Sequence, residues 1–133
     1  LDLVEAELVK RLCSERVSRP VLAAEQAIRA GIGAGEVSTL LGADRRRLVP
    51  EFRRTVGVAP KHYERIRRFN RSVAAMRRPR PPALAAIAAE VGYSDQAHMT
   101  REFTHFAGIS PSHVLGDTSD AINHIAADKI FKT

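Results

Sequence analysis

The chain has 133 residues, enough for one domain, with 44% hydrophobic but only 5% aromatic residues and no Trp, which suits a small helical fold with an Ala/Leu/Val/Ile core. A single cysteine, Cys13, excludes an intrachain disulfide and fits a reducing compartment; no run approaches the ~18 apolar residues of a membrane span, and no signal-peptide pattern is visible. The formal net charge of +6 is uneven: residues 44–80 hold 13 Lys and Arg against 3 Asp and Glu, a local +10 that points to a polyanionic partner or else to a solvated basic face.

In chain order, Leu1–Leu12 comes first, with Leu1, Val4, Leu8 and Leu12 at helical spacing among charged residues. It reads as an amphipathic helix that either packs on the domain or ends a linker. Cys13 falls on its apolar side and reads as a small core residue. Pro20–Ala30 is a second helix, with Ser18 or Arg19 near its start and Gly31 as its stop. Gly31–Gly35 reads as a loop and Glu36–Leu41 as a short supporting helix. Gly42 and Ala43 turn the chain. Asp44 is then an N-cap candidate for a helix over Arg45–Val56, with Leu48 and Phe52 inward. Pro50 lies inside that helix. It has no N–H to bond back to Arg46, which predicts a kink, or a 3₁₀-like first turn with the α-helix starting near Val49. Pro60–Met76 is the clearest long helix: Pro60 suits the first turn, and Tyr63, Ile66, Phe69, Val73 and Met76 form one apolar stripe. Arg77–Pro82 breaks it.

Ala83–Val91 follows as a short helix with Leu84, Ile87, Ala88 and Val91 on one face. Gly92 stops it, since a residue without Cβ can turn left-handed at a helix end. Tyr93 lies in the turn, Ser94 is the N-cap candidate, and Asp95 sits in the first turn of the next helix. Met99, Phe103 and Phe106 point inward. Gln96, Ala97, His98 and Arg101 are left outside, with Arg101 one turn beyond Gln96. A short helix from Pro111 to Leu115, a loop over Gly116–Asp120 and an amphipathic helix over Ala121–Phe131 close the chain.

Helix, glycine turn, second helix with an exposed polar start is the helix-turn-helix layout, and it occurs twice. Phe52 and Phe103, Gly57 and Gly108, Pro60 and Pro111, and His62 and His113 pair at an offset of 51 (103 − 52), whereas the turn glycines Gly42 and Gly92 pair at 50 (92 − 42). The second copy therefore has one extra turn residue. Two copies are too few for a solenoid. The expected fold is all-α, with two helix-turn-helix units joined by a long linker helix.

Duplication, spacing and the GVAP and GISP endings together resemble the DNA-binding domain of the AraC/XylS family of bacterial transcription regulators, over about Pro20 to Leu115. The resemblance implies three parts: residues 1–16 as a linker helix from a missing upstream domain; residues 17–116 as the tandem DNA-binding domain; and residues 117–133 as a tail. Within the middle part, the first unit covers 35–57, the linker helix 60–77 and the second unit 83–108. It also implies two recognition helices reading successive major-groove segments of double-stranded DNA. The further partners it implies are an N-terminal sensor or dimerisation domain and RNA polymerase, in the bacterial cytoplasm at the nucleoid. No cofactor, metal, membrane or enzymatic activity is implied.

The chemistry of the outer faces fits that reading. Gln96 can offer a bidentate amide to adenine and Arg101 a guanidinium to guanine; Ala97 can pack on a thymine methyl and His98 can donate to a base edge. Arg46 joins these as a base contact because it matches a position that the family uses. Arg45, Arg47, Arg53, Lys61 and Thr100 are candidates for the phosphate backbone. Val49 and Pro50 stand where the family more often has polar residues, so the first unit is expected to anchor and the second to read. Rival classes are a metal site at His98, Glu102 and His105, spaced i, i+4, i+7, and a helical interaction domain that has lost DNA binding. DNA-repair methyltransferases with domains of this family need a cysteine cluster, and only Cys13 is present.

Overall fold

In the computed structural model, residues 2–14 and 18–116 are described, with side chains of 2–8 and 18–116. They form eight α-helices and, among the described residues, no strand: α1 Leu3–Ser14, α2 Arg19–Arg29, α3 Ala34–Leu41, α4 Arg45–Val56, α5 Pro60–Met76, α6 Leu84–Val91, α7 Gln96–Ala107 and α8 Pro111–Gly116. The all-α expectation holds. The expectations for Cys13 as a core residue and for a helix over Ala121–Phe131 fall outside the described residues. The chain divides into two compact units between Arg67 and Arg68, so α5 gives its first half to one unit and its second half to the other.

The first unit is built on α2–α4 and the start of α5. Val21, Ala24 and Ile28 of α2, Val37 of α3, Leu48 and Phe52 of α4, and Tyr63 and Ile66 of α5 are buried. Phe52 meets Tyr63 at 5.7 Å between ring centroids. The buried Glu25 carboxylate is satisfied twice: it accepts the Tyr63 hydroxyl at 2.8 Å and pairs with Arg29 at 2.7 Å. A buried carboxylate is tolerated only with such partners. Burial first, and Glu25 second, push the Tyr63 phenol well above its ordinary range.

Helix α1 packs on this unit. Val4 and Leu8 are buried. Asp2 and Glu5 form a reciprocal cap at the helix start: Asp2 Oδ1 accepts the Glu5 N–H at 2.8 Å and Glu5 Oε2 accepts the Asp2 N–H at 3.3 Å. The same two carboxylates hold Arg67 of α5, at 3.5 and 3.3 Å.

Helix α3 starts two residues before the expected Glu36, at Ala34, and takes Gly35 into its first turn. Its N-cap, Gly33, has no side chain to close the helix end. Glu64 of α5 does so instead, accepting the Ala34 N–H at 2.9 Å, with Lys61 3.2 Å from the same carboxylate oxygen. A carboxylate is favoured there by both the free N–H groups and the helix dipole.

Pro50 does not delay α4, which runs as α-helix from Arg45 rather than from near Val49, with no separate 3₁₀ turn. Its start is fixed before the proline is reached: Asp44 Oδ1 accepts the Arg46 N–H at 2.9 Å, and the Asp44 carbonyl accepts from both Arg47 and Leu48. Pro50 is exposed, as is Arg46. The carbonyl that loses its partner thus lies on the solvent side, where the loss is cheapest.

In the second unit, Phe69, Val73 and Met76 of α5 pack with Ile87, Ala88 and Val91 of α6 and Met99, Phe103 and Phe106 of α7, all buried. Phe69 is the centre, 5.1 Å from Phe103 and 5.3 Å from Phe106. Pro111 and Val114 of α8 are buried as well.

Candidate nucleic-acid interface

Each unit presents a short helix, a tight turn and a solvent-facing second helix. In the first turn Gly42 is left-handed (φ 61°), and Ala43 N–H reaches back to the Ser38 carbonyl at 3.0 Å. In the second, Gly92 is left-handed (φ 93°), and Tyr93 N–H reaches back to the Ala88 carbonyl at 2.9 Å. Both are helix ends that only glycine enters without strain.

The caps differ from expectation in one place. Asp44 caps α4 as expected, but the cap of α7 is Asp95, not Ser94: Asp95 Oδ1 accepts the His98 N–H at 2.7 Å. The Ser94 hydroxyl is turned to His98 Nδ1 instead, 3.1 Å away. With Asp95 as cap, the two units are in register at an offset of 51 (95 − 44) from the cap onward. The extra residue of the second copy thus lies between Gly92 and Asp95.

That register aligns the exposed faces position by position. Ala97, Arg101, Thr104 and His105 of α7 correspond to Arg46, Pro50, Arg53 and Arg54 of α4. At 100° per residue, Arg101 lies one turn beyond Ala97 and about 140° round the helix from Gln96. Gln96 is therefore at the N-terminal edge of the face rather than in line with Arg101. Gln96, Ala97, Arg101, Thr104 and His105 are exposed and Thr100 is half-buried; on α4, Arg45, Arg46, Arg47, Arg53 and Arg54 are exposed and Val49 is half-buried. Thr104, His105 and Arg54 were not among the expected contacts, although the offset of 51 places them beside those that were.

The charges on these faces are not neutralised locally. Among the described residues, the guanidiniums of Arg45, Arg47, Arg53 and Arg101 form no ion pair. Arg46 reaches toward Asp44 at 3.8 Å with its side chain 94% exposed. The acidic groups nearby are committed elsewhere, Asp44 to the α4 cap and Glu51 to the Ser18 hydroxyl. Lys61 differs, since its ammonium is paired with Glu64. Arg78 forms a two-pronged pair with Glu90 on α6.

His98 is also engaged within its unit. Its Nδ1 accepts the Ser94 backbone N–H at 3.3 Å, its Nε2 lies 3.9 Å from Glu102, and its ring stands edge-on to Tyr93 at 5.1 Å. Tyr93 is buried, with the Arg68 guanidinium 5.4 Å over its ring. Burial, then the Glu102 carboxylate, pushes the Tyr93 phenol up to about 12. His105 meets Phe106 edge-on, and no three His, Cys, Asp or Glu side chains among the described residues group as metal ligands would.

A family model for a helix-turn-helix domain matches residues 37–117, from the buried Val37 of α3 to the end of α8. The chain belongs to this AraC-type family. No curated protein and no solved structure gave a match. The AraC-type assignment covers both units, and the family is one of DNA-binding regulatory domains rather than of enzymes. The family assignment supports DNA as the partner of this domain. No helix among the described residues is long and apolar enough to cross a membrane.

Proposed function

We propose that this chain is a sequence-specific DNA-binding transcription regulator whose recognition helices, α4 and α7, enter two successive major-groove segments. The observation that carries the reading is the paired geometry: two capped second helices with exposed faces on which Arg45, Arg47 and Arg53 of α4 and Arg101 of α7 form no ion pair among the described residues. A face of this kind attracts phosphate, and its long donors reach base edges.

The division of labour follows from the register. Arg101 holds the central position of the α7 face, and its counterpart on α4 is Pro50, which has no donor. Base choice is assigned to Arg101, Gln96 and Ala97, with Arg46 as the contribution of the first unit. Backbone grip is assigned to Arg45, Arg47, Arg53 and Thr100. Lys61 contributes by exchanging Glu64 for phosphate. Residues 17–116 act as the DNA-binding module, with 1–16 leading from an upstream sensor or dimerisation domain and 117–133 as a tail. RNA polymerase is the further partner at a bacterial promoter, in the cytoplasm. Catalysis has no part in this function.

Selection of bound sequences from a random duplex pool tests the reading. A consensus should emerge, and Arg101→Ala and Gln96→Ala should each cost about 1–3 kcal/mol of discrimination at particular base pairs. A pool that yields no consensus would favour the second reading, a helical interaction domain, which the exposed Pro50 and half-buried Val49 on α4 keep in play.

A further inference from the structure

The second unit differs from the first by one residue in its turn. Only Ala43 separates Gly42 from the cap Asp44, whereas Tyr93 and Ser94 separate Gly92 from Asp95. A longer connection has more conformations to lose on ordering, and it sets the angle at which α7 leaves α6. In this unit the connection is braced. Ser94 N–H donates to His98 Nδ1 at 3.3 Å, Ser94 Oγ lies 3.1 Å from the same nitrogen, and the ring stands edge-on to the buried Tyr93. The backbone of His98 is itself held by Asp95 at 2.7 Å. The residue aligned with His98 in the first unit is the exposed Arg47, in a turn with nothing extra to brace.

We infer that His98 is a positioning residue, which locks the longer turn to the start of α7 rather than touching DNA, and that it does so through the lone pair of Nδ1. The inference rests on α7 being the base-reading helix. A backbone N–H is a donor and nothing else, so the nitrogen facing it must carry a lone pair. The neutral ring then has its proton on Nε2, toward Glu102. Around the ring stand Asp95 and Glu102 on α7, Tyr93 in the turn and, across the Tyr93 ring, Arg68 on α5.

Two variants separate the possibilities. His98→Asn keeps an acceptor, the amide oxygen, near the place of Nδ1; His98→Leu keeps the bulk and no acceptor. In the free protein, amide exchange at Ser94 should be as slow in His98→Asn as in the parent and faster in His98→Leu, where the N–H has lost its acceptor. On DNA, the affinity ratio between matched and scrambled duplexes should fall about five- to tenfold in His98→Leu, the worth of one hydrogen bond. His98→Asn should keep the ratio of the parent.

A Ser94 amide that exchanges alike in the parent and in His98→Leu overturns the inference, as does a His98→Leu protein that discriminates like the parent. Loss of discrimination in His98→Asn as well as in His98→Leu makes His98 a DNA contact and overturns its positioning role. A parent protein with no sequence preference sinks the functional reading instead, and amide exchange at Ser94 then judges the brace alone.

Discussion

Glu64 is the residue whose removal tests the fold most sharply, because it closes a helix thirty positions away. Its side chain is 8% exposed and accepts the Ala34 N–H at 2.9 Å, the first N–H of α3. A hydrogen bond to a charged group contributes about 1.5–3 kcal/mol. The dipole of α3 adds about 0.3–1 kcal/mol for a negative charge at its N-terminus. Glu64→Ala removes both and leaves a helix end capped only by Gly33, so a loss of about 2–3 kcal/mol is expected. Glu64→Gln keeps an acceptor without the charge and should lose about half as much. Lys61→Ala should cost less than about 1 kcal/mol, since its ammonium is largely in water. Urea unfolding followed by circular dichroism gives the totals, and amide exchange at Ala34–Val37 shows whether the loss is at the start of α3. A Glu64→Ala protein within about 0.5 kcal/mol of the parent, with α3 protection intact, would refute the reasoning.

Asp95→Ala should cost about 1 kcal/mol as the loss of a true N-cap, and Ser94→Ala less; the reverse order in urea unfolding would return the cap to Ser94. Arg45→Ala and Arg47→Ala should weaken all duplexes alike, each reducing the slope of log affinity against log salt by about 0.9, as read by binding titrations across salt concentrations. Burial pushes the Glu5 carboxyl up, but the Asp2 N–H and the Arg67 and Arg29 guanidiniums outweigh it and hold the group below its ordinary 4.5. A lowered carboxyl stabilises the fold above that ordinary value, and the contribution disappears as pH falls through the folded one. Amide protection across α1, taken relative to the intrinsic exchange rate at each pH, should therefore fall below about pH 4.5, and an Arg67→Met protein should show the weaker protection already at neutral pH.

What was legible in the chain was what depends on neighbours a few residues apart. The inward stripe Tyr63, Ile66, Phe69, Val73 and Met76 repeats at helical spacing, and all five are buried. The left-handed glycines at 42, 57, 92 and 108 stand just past the ends of apolar runs, as helix geometry asks. What escaped was long-range or competitive. Nothing near Gly33 announces a helix start at Ala34, because the group that makes it possible is on α5. Ser94 and Asp95 are both good caps, and the choice turned on His98 claiming the serine. The docking of α1 depends on Arg67 meeting carboxylates more than sixty residues away. Of the candidate site, composition and spacing pointed to Gln96, Ala97 and Arg101, all exposed, but they missed Thr104, His105 and Arg54 and did not separate the unpaired arginines from Lys61, which is already paired.

The common register from cap to closing proline makes 44–60 and 95–111 interchangeable lengths of chain. Each opens on an aspartate, ends its helix in a left-handed glycine and stops at a buried proline. A cassette exchange between the two sites would move one exposed face onto the other scaffold without altering turn length, since the residue that distinguishes the turns lies upstream of the cut. Inside, Phe replaces Phe at 52 and 103 and Leu exchanges with Met at 48 and 99, while Thr55 faces Phe106 across the swap. Phe106 fills the space beside Phe69 and Ala107 is buried, so a graft of 44–60 into the second site needs Phe in place of Thr55 and Ala in place of Val56. With those repairs, the second unit becomes a socket into which a reading helix of new specificity can be set.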